Sequence, residues 1–301
     1  MKFDSDPSIA FDVTEFIQDT RLAIYVHWSP NNEISNHDTY FINVLAQEFD
    51  QVLVVCNLNE RVTNKPKIEK GNNENINFLY RLNEGYDFGG YKAGMQHVVN
   101  HSSVLSEVLL VNNSTFLFKD TLSDLMNRVR MSNCQVTSVT SSMEKSFHLQ
   151  SYFLHFKSEA IHDPKLWDWF GELVTTSDKR KTVTSLEIPF LTEMNRLGYI
   201  CGAVWEITNL EKYMFSSFGS NLLQEFRREP SWILFVRLAL QGKSLNPTHY
   251  MWPLLLELGC PLVKKDLLRK STVNALGTDK WKAYCKSPEL TSLISGDLSN
   301  A

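Results

Sequence analysis

Four apolar runs separated by helix-spaced segments constrain this chain more than any other feature. Leu22-Ala23-Ile24-Tyr25-Val26-His27-Trp28, Gln51 to Asn57, Ile76 to Leu82 and Glu107 to Val111 each read as a strand with most of its length covered, as strands of a parallel sheet are. Between them, Thr39 to Phe49 and Gly90 to Val99 repeat apolar residues at helical spacing. Strand alternating with helix at this rhythm requires right-handed crossovers and a mostly parallel sheet flanked by helices. The expected class is therefore α/β, Rossmann-type in its first half.

Further along, Gln135 to Ser141, Gln150 to Phe156 and Tyr199 to Trp205 read as strands. Helices are expected from Ile161 to Thr175 and from Ser185 to Leu197, the second stopped by Gly198. Trp232 to Leu240 and Tyr250 to Leu258 make the last third mainly helical. The expected division is an N-terminal extension at 1–20, an α/β domain at 21–210, a helical region at 211–270 completing its cleft, and a polar, loosely held tail at 271–301.

Composition excludes several classes. The chain of 301 residues has a formal net charge of −4, which argues against the electrostatic footprint of a nucleic-acid binder. Five cysteines, with no C-x-x-C pair, make neither a zinc cage nor a disulfide framework, so a reducing cytoplasm is expected. No uncharged run reaches the length of a membrane span. Any membrane association is expected to be peripheral.

The block Leu82-Asn83-Glu84-Gly85-Tyr86-Asp87-Phe88-Gly89-Gly90-Tyr91-Lys92 follows a strand and opens a helix. Gly85, Gly89 and Gly90 permit a sharp turn or close approach of a ligand, and the helix start offers N–H groups to phosphate. Asp87 can accept from a ribose or base, and Lys92 can meet a phosphate. A plain glycine-rich turn with Asp87 as cap explains the same residues. The spacing is not G-x-G-x-x-G, which weighs against a dehydrogenase, and a methyltransferase is the other remote alternative.

Strand four delivers Asn112, Asn113 and Ser114 to the carboxyl edge of the sheet, where ligands of open α/β sheets bind. Capping of the strand is the other account of them. His148, Gln150 and Ser151 precede an apolar run and can recognise sugar hydroxyls. Glu187 follows Thr184-Ser185, as in a capping box, or else as a carboxylate aimed into a cleft from a first helical turn. His249 lies at a polar-to-aromatic junction opened by Pro247. The basic run from Lys264 to Lys270 is either a solvated face or a surface for phosphates or anionic head groups.

Taken in order, NEGYDFGGYKAG at 83–94, LLVNNSTF at 109–116, HLQSYFLHF at 148–156, Glu187 before a helix ending in LGY at 197–199, and NPTHYMWPLLLELGCPLVKKDLLR at 246–269 resemble the rhamnan synthesis F family of bacterial polysaccharide rhamnosyltransferases. The resemblance spans roughly residues 21–270. It implies a GT-A-like domain that moves a sugar, commonly L-rhamnose from a dTDP donor, onto a cell-surface polysaccharide or lipid-linked glycan. On that pattern Asn83, Gly85, Asp87, Gly89, Gly90, Lys92, Asn112, Asn113 and Ser114 hold the nucleotide sugar. Glu187 is the expected base of an inverting transfer, and His148, Gln150, Ser151 and His249 orient sugar or acceptor. Relatives usually carry Asp where this chain has Asn113, so a divalent metal, Mg or Mn, lacks its expected ligand. Peripheral contact through Lys264 to Arg269 would bring a cytoplasmic enzyme to a lipid-linked acceptor at the inner membrane face. A non-catalytic GT-A-like module that binds glycan or a partner synthase is the alternative.

Overall fold

The computed structural model describes residues 17–60, 66, 74–212, 241, 246–269 and 278–299. The helix expected at Trp232–Leu240 and most of the extension at 1–20 lie outside them. Strands are β1 (Thr20–Trp28), β2 (Gln51–Leu58), β3 (Ile76–Leu82), β4 (Leu105–Asn112), β5 (Thr115–Leu117), β6 (Val136–Ser142), β7 (His148–Leu149), β8 (Phe153–Lys157), β9 (Cys201–Trp205) and β10 (Leu262–Lys264). Helices are α1 (Asn36–Glu48), α2 (Tyr86–Val98), α3 (Leu122–Met131), α4 (Ser158–Ile161), α5 (Pro164–Glu172), α6 (Lys179–Thr182) and α7 (Phe190–Leu197), with shorter ones at Pro247–Tyr250, Trp252–Glu257, Lys265–Leu268 and Trp281–Tyr284, and a longer one at Pro288–Ser299.

An eight-stranded sheet runs β3-β2-β1-β4-β8-β6-β7, with β9 beside β6. β1 pairs in parallel with β2, Tyr25 opposite Val54, and with β4, Tyr25 opposite Val111; β2 pairs in parallel with β3. The chain therefore winds outward from β1 to β3 and returns to the other side of β1 for β4. That reversal is a topological switch point, the place where the carboxyl edge of an α/β sheet opens a crevice. The expected mostly parallel α/β sheet flanked by helices is the observed one.

Two compact units divide the chain, Met1–Asn113 with His155–Leu186, and Ser114–Leu154 with Glu187–Ala301. This division cuts across the boundaries expected at 20, 210 and 270, because the chain leaves the first unit after β4 and re-enters it within β8. In the first unit, Leu22 to Val26 and Val108 to Val111 are buried under the helices. The Ser35 hydroxyl caps α1 by accepting from the Asp38 N–H at 3.1 Å. α2 starts four residues before the expected Gly90 and packs on β1 and β2. A Cβ at Gly90 would meet Val26 Cγ1 at 2.5 Å, and one at Gly94 would meet Ile24 Cγ2 at 2.6 Å. Both glycines lie on one helical face, so their absent side chains set how closely α2 lies on β1. The helix expected at Ile161–Thr175 is two, α4 and α5, parted where Pro164 enters and Asp163 accepts from the Lys165 N–H.

In the second unit, β6 pairs in parallel with β9 and antiparallel with β7, and β5 pairs antiparallel with β10. The strand expected at Gln150–Phe156 is interrupted: Ser151 and Tyr152 turn between β7 and β8. The helix expected at Ser185–Leu197 is also broken. A π-helical turn at Val183–Glu187 ends before Pro189, which lacks an N–H and disfavours helical backbone at Ile188, and α7 begins only at Phe190. Gly198, at φ 99°, ends α7 as expected. The helix expected at Tyr250–Leu258 is interrupted at Met251.

The tail expected at 271–301 is corrected at its far end. Pro288–Ser299 is a helix that buries Leu290 and Ile294 and holds Asp297 3.4 Å from the buried Lys265 and 3.3 Å from Arg269. Its periodicity was hidden by serines on the other face. Among the described residues, no helix is long and apolar enough to cross a membrane.

Candidate functional site

In the first unit, the strand-to-helix turn after β3 and the end of β4 belong to the carboxyl edge of the parallel sheet. Gly85 is the N-cap of α2 at φ 76°, and a Cβ there would fall 2.4 Å from Thr175 Cβ. Left-handed backbone and lack of room both exclude larger residues. A Cβ at Gly89 would sit 1.9 Å from the Glu84 carbonyl oxygen, so this glycine lets the turn close on itself. Asp87 lies in the first turn of α2, one residue past its start, rather than at the cap position. Asn83 donates its backbone N–H to Leu58 O at 2.8 Å, while its buried side-chain Oδ1 has no hydrogen-bond partner among the described residues. Lys92 Nζ donates to Leu173 O, the carbonyl ending α5, at 2.8 Å.

Sequence reasoning missed Arg81 and Asn57, which brace the turn. Arg81 donates to Asn57 Oδ1 and to Glu84 O, both at 2.6 Å, and Asn57 Nδ2 donates to Tyr86 O at 3.2 Å. Burial holds the Arg81 guanidinium below its ordinary pKa, partly offset by the Glu84 charge. A cation on β3 just before a glycine turn was the available signal.

Asn113 is engaged by the backbone of β1. Its Nδ2 donates to Trp28 O at 2.8 Å, its Oδ1 accepts from the Trp28 N–H at 3.3 Å, and Nδ2 also lies 3.5 Å from Asp38 Oδ2. Asp38 is buried, accepts from the Tyr25 hydroxyl at 2.9 Å and lies 3.4 Å from His27 Nε2. Asn112 is buried on β4 opposite Val26. The amide meets both the N–H and the carbonyl of Trp28 and so clamps the end of β1 to the end of β4. With both its ends engaged and no carboxylate of its own, Asn113 does not fit a divalent cation, which needs carboxylates or free carbonyls directed at it. Among the described residues, no three His, Cys, Asp or Glu side chains are grouped to hold a metal ion.

In the second unit, the Ser114 hydroxyl accepts from Lys264 Nζ at 3.0 Å, and Lys264 lies 4.5 Å from the centre of the Tyr152 ring. Gln150 centres a buried network. Its Oε1 accepts from the Thr140 hydroxyl at 2.6 Å and its Nε2 donates to Asn246 Oδ1 at 3.1 Å, while Thr140 also bonds the Tyr152 hydroxyl at 2.9 Å. These bonds pull residues 150–152 out of a regular strand, which explains the interruption after β7. His148 Nδ1 lies 2.8 Å from Ser146 O and so carries its proton there. Glu187 Oε1 accepts from the Ser151 N–H at 3.5 Å. Glu187 thus stands at the end of a π turn rather than in the first turn of a helix, which corrects both the capping-box account of it and the first-turn placement expected for a carboxylate aimed into a cleft.

His249 Nε2 lies 3.6 Å from Asp266 Oδ2. Burial raises the Asp266 carboxyl, but the His249 hydrogen bond and the Lys264 charge outweigh it and leave it below the ordinary carboxylate value. The basic run is partly consumed inside the unit: Lys265 is buried against Asp297, and Arg269 reaches the same carboxylate. The first unit thus gathers the residues expected at the nucleotide except Ser114, and the second gathers Ser114 with those expected at sugar or acceptor.

The family model described as rhamnan synthesis protein F matches residues 52–225. The virulence protein VirA of Vibrio anguillarum is 26% identical over 200 residues, 64% of this chain and 62% of VirA. The uncharacterized protein y4gN of Sinorhizobium fredii is 27% identical over 146 residues, 46% of this chain and 38% of y4gN. The chain thus covers less than two thirds of the length of these relatives. Among solved structures, the glycosyltransferase GlyE of Streptococcus pneumoniae superimposes with a TM-score of 0.44 at 8% identity, covering 94% of this chain and 64% of GlyE.

Proposed function

This chain belongs to the rhamnan synthesis protein F family, and from that premise we propose that it is a glycosyltransferase using a nucleoside-diphosphate sugar. The observation that carries the proposal is the switch point between β1 and β4, with the Gly85 turn and α2 at the same carboxyl edge of the first unit. That arrangement supports a nucleotide site, since helix N–H groups and a close backbone suit a diphosphate.

The finer reading is an inverting transfer, of L-rhamnose from a dTDP donor, to a cell-surface polysaccharide or lipid-linked glycan. Glu187 takes the proton of the acceptor hydroxyl as its oxygen attacks the anomeric carbon, and the bond to the nucleoside diphosphate breaks on the opposite face. Asn83 and Asp87 contact the nucleotide, and Arg81 joins Lys92 as a cation of that unit. His148, Ser151 and His249 orient sugar or acceptor; Gln150 acts by holding residues 150–152. The engaged amide of Asn113 supports low dependence on divalent metal, so chelation by EDTA should leave most turnover. Action at the inner face of the cytoplasmic membrane completes the proposal.

The same Asn113 clamp favours a second reading, a non-catalytic module of the same fold that binds glycan or a partner synthase. A panel of nucleotide sugars, read first by thermal shift and then by donor hydrolysis, separates the two. Binding to the native state raises the melting temperature by mass action. Stabilisation by one nucleotide sugar with slow hydrolysis is expected. Failure of every donor to stabilise the fold would defeat the enzyme reading.

A further inference from the structure

Trp28 ends β1 at the carboxyl edge of the sheet with 42% of its surface exposed. A single exposed aromatic needs no explanation, but the polar contacts around this one do. Its indole N–H donates to Asn59 Oδ1 at 2.8 Å. The Asn59 amide is itself fixed, because Nδ2 donates to Ser29 O at 3.0 Å and to Pro30 O at 2.9 Å, so that only the oxygen can face the indole. Asn32 Oδ1 accepts from the Asn59 backbone N–H at 3.0 Å. Asn113 clamps the Trp28 backbone on the β4 side, its amide meeting both the N–H and the carbonyl of that residue.

Water would satisfy an exposed indole N–H equally well, and ordering Asn59 to do so costs side-chain entropy. What the lock provides is a flat apolar surface held in one orientation beside the switch point. Such a surface fits a planar ring with two open faces. Ordering it before binding removes an entropic cost from association.

We propose that the indole of Trp28, locked by Asn59, is the platform on which the nucleobase of the donor stacks; this rests on the nucleotide-sugar reading above. The face of an indole accepts any base. Trp28 therefore supplies affinity for the nucleoside, and the choice among bases falls to the edge contacts around it.

The test is calorimetric titration of the full chain and its variants with thymidine, uridine and adenosine diphosphates and with inorganic pyrophosphate. Trp28→Ala should weaken the preferred nucleoside diphosphate about 5- to 150-fold and leave pyrophosphate unchanged. Trp28→Phe, which keeps a ring, should lose less, and Asn59→Ala, which frees the ring, should fall between. Melting curves establish that each variant is folded, and the last two carry the test if the alanine at 28 does not fold. Wild-type affinity in folded Trp28→Ala would overturn the platform while leaving the nucleotide site standing. An equal loss for pyrophosphate would also overturn it. Absence of binding of every diphosphate to the wild-type chain would overturn the nucleotide reading along with it.

Discussion

Replacing Asn113 by Asp supplies the carboxylate that the family resemblance leads one to expect there, and the structure predicts that it weakens the fold. The introduced oxygen would stand about where Nδ2 is, 3.5 Å from Asp38 Oδ2, and the Asp38 side chain is only 3% exposed. Two unit charges at that distance repel by about 5 kcal/mol at an effective dielectric near 20. The alternative is for the new carboxyl to take a proton, which at pH 7 costs roughly 4 kcal/mol from an ordinary Asp value near 3.9. Both routes give about 4–5 kcal/mol. The lost donor to Trp28 O adds about 1 kcal/mol. A carboxyl raised in the folded state binds more protons there than when unfolded, so stability falls as pH rises from the unfolded value toward the folded one. The charge part should therefore shrink to roughly 1.5 kcal/mol at pH 5. Asn113→Ala removes the clamp without charge and should cost about 1–3 kcal/mol at both pH values. Urea unfolding of the three proteins at pH 7 and pH 5 measures this directly. An Asp variant within about 1 kcal/mol of wild type, a deficit that grows at pH 5, or rescue by Mn²⁺ would refute the clamp and reinstate a metal ligand.

Three further outcomes are expected. Asp87→Ala should lower nucleotide affinity roughly ten- to hundred-fold, the loss of about 1.5–3 kcal/mol for a hydrogen bond to a charged group, with the melting temperature little changed; a shift in stability alone would assign Asp87 to helix α2. Glu187→Gln keeps the shape and the contact with Ser151 but cannot take a proton, so transfer should fall about 10²–10⁴-fold with donor affinity preserved; wild-type transfer rates would remove Glu187 from the mechanism. Lys265→Met should destabilise the second unit in urea, by less than the roughly 3–5 kcal/mol for a buried charge left wholly unpaired, because Arg269 still reaches Asp297; a neutral result would mean that Asp297 rehydrates.

The sheet was legible because its signal is local and redundant. Leu22 to Trp28 and Gln51 to Asn57 are apolar over most of their length, and their shortness, with the breakers Ser29-Pro30 after the first, favours covered strands over buried helix. Breaks within elements were less visible. Pro189 argues against a continuous helix through Ser185–Leu197, yet the apolar spacing on either side of it conceals the interruption. The turn at Ser151 and Tyr152 depends on Thr140, ten residues before Gln150, and no periodicity encodes that partner.

For the candidate residues, the sequence shows side-chain chemistry but not engagement. Asn113 and Gln150 have the chemistry to meet a ligand, and the fold occupies that chemistry with Trp28 and with Thr140 and Asn246. Trp28 reads in sequence as one more apolar strand residue, yet it is the exposed one, and only Asn59 and Asn113, 31 and 85 positions away, reveal that its ring is held. The strand-end amide and the aromatic are thus parts of one device. The group expected to bind a ligand fixes the backbone of a residue that was not. A change at Asn113 should accordingly weaken nucleotide binding through Trp28 even where it leaves the fold intact.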